Sequence, residues 1–139
     1  SPFGNNAQFG LALAKYQTVG SASNTYYTSA FSSLTGEIQN DPDTSWDYVV
    51  VFMSDGMPTD SPAPDLNKLV QNLRDAAASK GKKVTVSTVY FGPTGSTDAI
   101  NNMKKMAVQG QGQFVDTNLL PNGELKIEDI INIPGAICK

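Results

Sequence analysis

Apolar residues recur at helical spacing in three long stretches of this chain, and shorter runs with the character of β-strands stand between them. Tyr27, Ala30, Phe31, Leu34 and Ile38 fall on one face and predict a helix over residues 26–39, with Asn24 and Thr25 as its natural caps. Leu66, Leu69, Val70, Leu73, Ala76 and Ala77 predict a second helix, opened by Asp65 and closed by the basic, glycine-containing Lys80-Gly81-Lys82-Lys83. Ala99, Ile100, Met103, Met106 and Ala107 predict a third, capped by Thr97 or Asp98 and broken at Gly110 to Gly112. Weaker spacing suggests a short helix within residues 1–20, carried by Phe9, Ala12, Leu13 and Tyr16, and another over 127–132.

The runs between follow a different rule. Residues 48–53 (Tyr-Val-Val-Val-Phe-Met) are apolar at consecutive positions and β-branched in the middle, which predicts a strand buried on both faces inside a parallel sheet. Residues 84–91 and 113–116 read as two further strands. Helices alternating with strands place the chain in the α/β class, as an open, mostly parallel sheet flanked by helices. Three strands are fewer than the usual five or six. The fold therefore reads as incomplete without an additional N-terminal segment or a partner chain. Residues 1–139 form one partial domain, divided into a poorly placed segment (1–20), the α/β part (21–132) and a tail (133–139).

Composition narrows the chemistry. Charged residues are 17% of the chain, against about 25% in ordinary domains. Asn, Ser, Thr, Gln and Gly fill the difference, a balance that points to an extracellular or cell-surface setting. A net charge of −3 without a basic stripe argues against nucleic acid. No apolar run reaches the length of a membrane span, and no leader-like segment opens at Ser1, as in a mature or trimmed product. The chain has no histidine, which removes Ser-His-Asp and Cys-His catalysis and most zinc sites. A metal site would use oxygen ligands, favouring Mg²⁺, Ca²⁺ or Mn²⁺. The single cysteine, Cys138, is free, pairs with another chain, or has its partner outside this sequence.

The candidate chemistry lies where the first strand ends. Asp55-Gly56 puts a carboxylate at the carboxyl edge of the sheet, where open α/β sheets bind ligands. The segment continues as Met57-Pro58-Thr59-Asp60, with Asp60 read as a loop cap.

Residues Asn24-Thr25-Tyr26-Tyr27-Thr28-Ser29-Ala30-Phe31 and the stretch from Val49 to Asp60 together resemble the von Willebrand factor A domain family. The resemblance implies an adhesion or protein-interaction domain whose divalent ion binds a partner carboxylate. It implies Thr25 and Asp55 as metal ligands, with Asn24, Tyr26, Ser54, Gly56 and Asp60 around the rim. The family's first metal loop, Asp-x-Ser-x-Ser, occurs nowhere in this chain; Ser21-Ala22-Ser23 supplies two serines, but Val19 stands in the place of the Asp. The resemblance thus implies a half-site that binds Mg²⁺, or Ca²⁺ or Mn²⁺, weakly or not at all on its own. A second reading is a structural subunit of a surface or pilus-like assembly, with its sheet completed by another chain. Phe52-Met53-Ser54-Asp55-Gly56 also resembles haloacid-dehalogenase phosphatases, but Met53 occupies the place of their nucleophile. No strand leads into a glycine-rich phosphate loop, and no nucleophile-base pair is visible, so the chain reads as a non-enzyme.

Overall fold

Each helical stretch buries the face that its spacing selects. The computed structural model describes residues 24–43, 45–121 and 124–130. Helix α1 (Tyr27–Asn40) buries Tyr27, Phe31 and Ile38; α2 (Leu66–Ala78) buries Val70, Leu73, Ala76 and Ala77; α3 (Thr97–Gln109) buries Ala99, Met103, Met106 and Ala107. At the start of α2, the Asp65 carboxylate accepts a hydrogen bond from the Lys68 N–H at 3.1 Å, satisfying one of the orphan donors of the first turn. Helix α3 starts one residue earlier than its spacing suggests, with Ser96 rather than Thr97 or Asp98 at the cap position. The short α4 (Ile127–Ile130) lies within the last predicted helix. The reading of residues 1–20, the tail and Cys138 all fall outside the described residues.

Strands β1 (Tyr48–Ser54), β2 (Val84–Tyr90) and β3 (Gln111–Asp116) form a parallel sheet in the order β1-β2-β3, joined by α2 and α3. Pairing of β1 with β2 is unbroken from Tyr48↔Val84 to Ser54↔Tyr90. Between β2 and β3 the register shifts near Val86 and Thr88. At the shift Gln111 takes a left-handed backbone conformation, φ 57°, and is flanked by two glycines that touch β2. A β-carbon at Gly112 would fall on the Val86 carbonyl, and one at Gly110 on the Val86 side chain. These glycines end α3 and also let the chain lie directly against β2, so β3 begins two residues before the predicted 113–116.

One face of the sheet carries most of the core. Val50, Phe52, Val86 and Tyr90 pack beneath the three long helices, and the Phe52 ring lies 4.8 Å from Tyr27 and 5.0 Å from Phe31. The Thr88 hydroxyl, fully buried, donates to the Met103 carbonyl at 2.8 Å. On the opposite face Val89, Val115 and Ile130 form a smaller cluster with Val51, Leu120 and Leu125.

Here the expectation for β1 needs correction. The strand is not buried on both faces, because Val49 is 43% and Met53 51% exposed. Among the described residues it forms one edge of the sheet, and β2 is the strand with two neighbours. An all-apolar run thus reports a strand's capacity for burial, which its neighbours must complete. No helix among the described residues is long and apolar enough to cross a membrane.

Candidate functional site

The loops that leave the carboxyl ends of the strands converge on the loop that enters α1. Ser54, the last residue of β1, is buried, and its Oγ accepts from the Gly56 N–H at 3.3 Å. That bond closes the Asp-Gly turn and leaves the Asp55 side chain exposed. Among the described residues no side chain or N–H donates to the Asp55 carboxylate. Its backbone is fixed nonetheless. The Phe91 N–H donates to the Ser54 carbonyl at 3.2 Å, and Gly92 lies so close to the Asp55 carbonyl that no β-carbon fits between them. Beyond it, the Asn118 amide donates to the Gly92 carbonyl at 3.1 Å, so the loops after β1, β2 and β3 form one connected edge.

The Thr25 loop is stitched to the same edge. The Thr25 N–H donates to the Thr59 Oγ1 at 2.7 Å, and its carbonyl accepts from the Thr59 N–H at 2.8 Å. Two residues on, the buried Tyr27 sends its hydroxyl to the Gly56 carbonyl at 2.8 Å. Burial pushes the Tyr27 phenol above its ordinary value; the hydrogen bond with Ser54 opposes this, and the charges of Asp55 and Asp60 add to it. At neutral pH the phenol is a donor, as the Gly56 contact requires.

Asn24 and Thr25 do not cap α1. The helix begins at Tyr27, with Tyr26 at the cap position and no side-chain cap bond from it. Tyr26 is half exposed, and its hydroxyl accepts from the Asn24 amide at 2.9 Å. The cap comes from a distant part of the chain. The Asp60 Oδ2 accepts from the Tyr27 N–H at 2.9 Å and its Oδ1 from the Thr28 N–H at 3.0 Å. Partial burial pushes the Asp60 carboxyl up, but hydrogen bonds from Thr28 and Tyr27 outweigh it and hold the group below the ordinary carboxylate range. The position of the helix dipole favours the same charge state.

Spacing along the chain could not reveal this cap, because donor and acceptor are 33 residues apart. The only sequence signal is the Pro-Thr-Asp that follows the Asp-Gly turn. Thr59, which ties Thr25 in place, was likewise not singled out by spacing.

The edge therefore gathers Thr25, Asp55, Gly56, Thr59 and Asp60, with roles that differ. Asp60 has both oxygens on α1 and is a structural anchor. Among the described residues Asp55 offers a carboxylate to which nothing donates, and Thr25 a hydroxyl on a fixed backbone. Among the described residues no three acidic, histidine or cysteine side chains cluster in a way that could hold a metal ion. The donor set is thus oxygen-rich and fits part of a hard divalent-cation site, short of the ligands such an ion needs.

No protein-family model, no curated protein and no solved structure matches this chain.

Proposed function

We propose that this chain is the C-terminal portion of a von Willebrand factor A-like domain, acting in adhesion or protein-protein interaction at the cell surface or outside the cell. The observation that carries the reading is the double hydrogen bond between Thr25 and Thr59, together with Tyr27 to Gly56. These hold the Thr25 loop against the Asp55 turn, the two segments on which the resemblance rests. Thr25 and Asp55 would hold a divalent cation, Mg²⁺ foremost, with Ca²⁺ or Mn²⁺ as alternatives. When bound, such an ion supplies an open coordination position for a partner's carboxylate. The chain's own part is to fix the two ligands: Thr59 and Tyr27 set the backbone, and Asp60 holds α1 in line. Further ligands would come from an additional N-terminal segment or a second chain that extends the sheet beyond β1.

Manganese-induced broadening in amide NMR spectra tests the metal site, since it detects weak binding. The expected result is selective loss of the Thr25, Asp55 and Gly56 signals, abolished by Asp55→Ala and reversed by EDTA. Broadening that spares these residues, or persists unchanged in Asp55→Ala, would overturn the assignment.

A second reading, a structural subunit of a surface or pilus-like assembly, is favoured by the exposed Val49 and Met53 on an edge strand. The register places alternate β1 backbone groups outward, without a charged or proline residue to discourage pairing. Native mass spectrometry separates the two. Defined oligomers insensitive to EDTA support assembly, whereas a monomer with a cooperative melt counts against it.

A further inference from the structure

Beyond Asp60 on the same edge, the solvent faces of α1 and α2 and the proline loop before α2 line an open groove of about 510 Å³, within the size range of ligand clefts. We propose that this groove binds a neutral, polyhydroxylated ligand, a carbohydrate.

Two helices begin at this groove, and a helix N-terminus ordinarily attracts an anion. Each already carries a carboxylate of the chain itself: Asp60 accepts from the Tyr27 and Thr28 N–H groups of α1, and Asp65 from the Lys68 N–H of α2. An anion would meet those two carboxylates with only Lys68 to attract it. A cation fares little better, because both carboxylates are already engaged with backbone donors. Besides the apolar Pro62, Ala63, Pro64 and Leu69, the walls offer neutral hydrogen-bonding capacity: hydroxyls from Ser29 and Ser32 on α1 and the amide of Asn72 on α2. Each hydroxyl donates and accepts, and the amide does both, which matches a ligand that also does both at every position.

The groove also has an aromatic wall. Tyr26 is 52% exposed, and its hydroxyl is held by the Asn24 amide at 2.9 Å. A partly exposed ring with its tip fixed offers an apolar face on which the C–H face of a sugar ring can lie, next to donors for the hydroxyls at its rim.

The composition of α1 agrees. Its outward positions include Thr28, Ser29, Ser32 and Ser33, residues of lower helix propensity than Glu, Lys or Gln. Choices that oppose local stability are expected where a surface has work besides folding.

The test is an amide NMR titration of the full chain with cellobiose, maltose and N,N′-diacetylchitobiose in turn, with inorganic phosphate as the contrasting probe. At least one saccharide is expected to give saturable shifts confined to Tyr26, Ser29, Ser32, Asn72 and their neighbours, and Tyr26→Ala should weaken it by about tenfold. Ser32→Glu provides a variant that keeps the fold: a better helix former fills the groove with a charged side chain. It should leave the melting temperature unchanged or higher while abolishing the shifts. The proposal is overturned if no saccharide produces clustered, saturable shifts, if phosphate alone does so, or if Ser32→Glu binds as well as the parent chain. Tyr26 and Asp60 border both this groove and the Asp55 edge, but the titrations contain no divalent cation and the manganese experiment contains no saccharide, so the two readings fail separately.

Discussion

Replacing Asp60 tests whether α1 is held by a carboxylate from a distant loop. Asp60→Asn keeps the shape of the side chain but removes the charge and turns one acceptor into a donor. Only one of the bonds to Tyr27 and Thr28, at 2.9 and 3.0 Å, can then survive, and an NH₂ faces the other N–H. Loss of a helix cap costs about 0.5–2 kcal/mol, and a hydrogen bond to a charged group contributes about 1.5–3 kcal/mol. These figures overlap rather than add, and the carboxylate is partly exposed, so a loss of about 2 kcal/mol at neutral pH is the expectation.

The pH dependence gives a second, independent check on Asp60. Its folded carboxyl lies below the ordinary range, so its stabilising contribution is fully present above the unfolded value of about 3.9. The contribution is lost as pH falls through the folded value. Urea denaturation of both proteins from neutral to acidic pH should therefore show a gap of about 2 kcal/mol that closes below pH about 4. A gap under about 0.5 kcal/mol at neutral pH, or one that stays constant into acid, would refute the cap.

Two other substitutions probe the same edge. Tyr27→Phe removes the donor to the Gly56 carbonyl without changing the packed ring, and should cost about 1 kcal/mol in chemical denaturation while speeding amide exchange at Gly56. Gly92→Ala drives a methyl group onto the Asp55 carbonyl and should destabilise the fold by about 1–3 kcal/mol, read as a lower melting temperature together with shifted Asp55 and Phe91 amide signals; a neutral effect would mean that the two loops are not in contact.

What could be read from the chain divides by distance along it. The three long helices were legible because each buries a face defined by residues three and four apart, and Asp65 was legible as a cap because its partner, Lys68, is its near neighbour. Alternation of strand and helix was enough for a parallel α/β sheet. The environment of β1 was not, because Val49 and Met53 have the same side chains whether or not another layer covers them. The start of β3 was hidden for a related reason: Gly110 and Gly112 look like helix breakers, and their fit against Val86 exists only after folding.

At the site, the Asp55 turn and the Thr25 loop could be picked out singly. Their connection through Thr59 could not, since Thr25 and Thr59 are 34 residues apart. Asp60 shows the same limit from the other side. A carboxylate in a Pro-Thr-Asp loop announces a cap, but nothing in the spacing says which helix it serves.

The Asp60 contact also sets an order of events during synthesis. Tyr27 is made 33 residues before the group that satisfies its N–H. At elongation rates of about 5–20 residues per second, roughly 2–7 s pass before that carboxylate exists. During that interval the first turn of α1 has only water for its donors, and a helix this short is marginal in isolation. Its N-terminal end can settle only after β1 has been made and the chain has turned back over it. The Thr25 loop, tied to the same segment through Thr59, takes its place in that late step, so the edge that carries Asp55 is assembled as a unit.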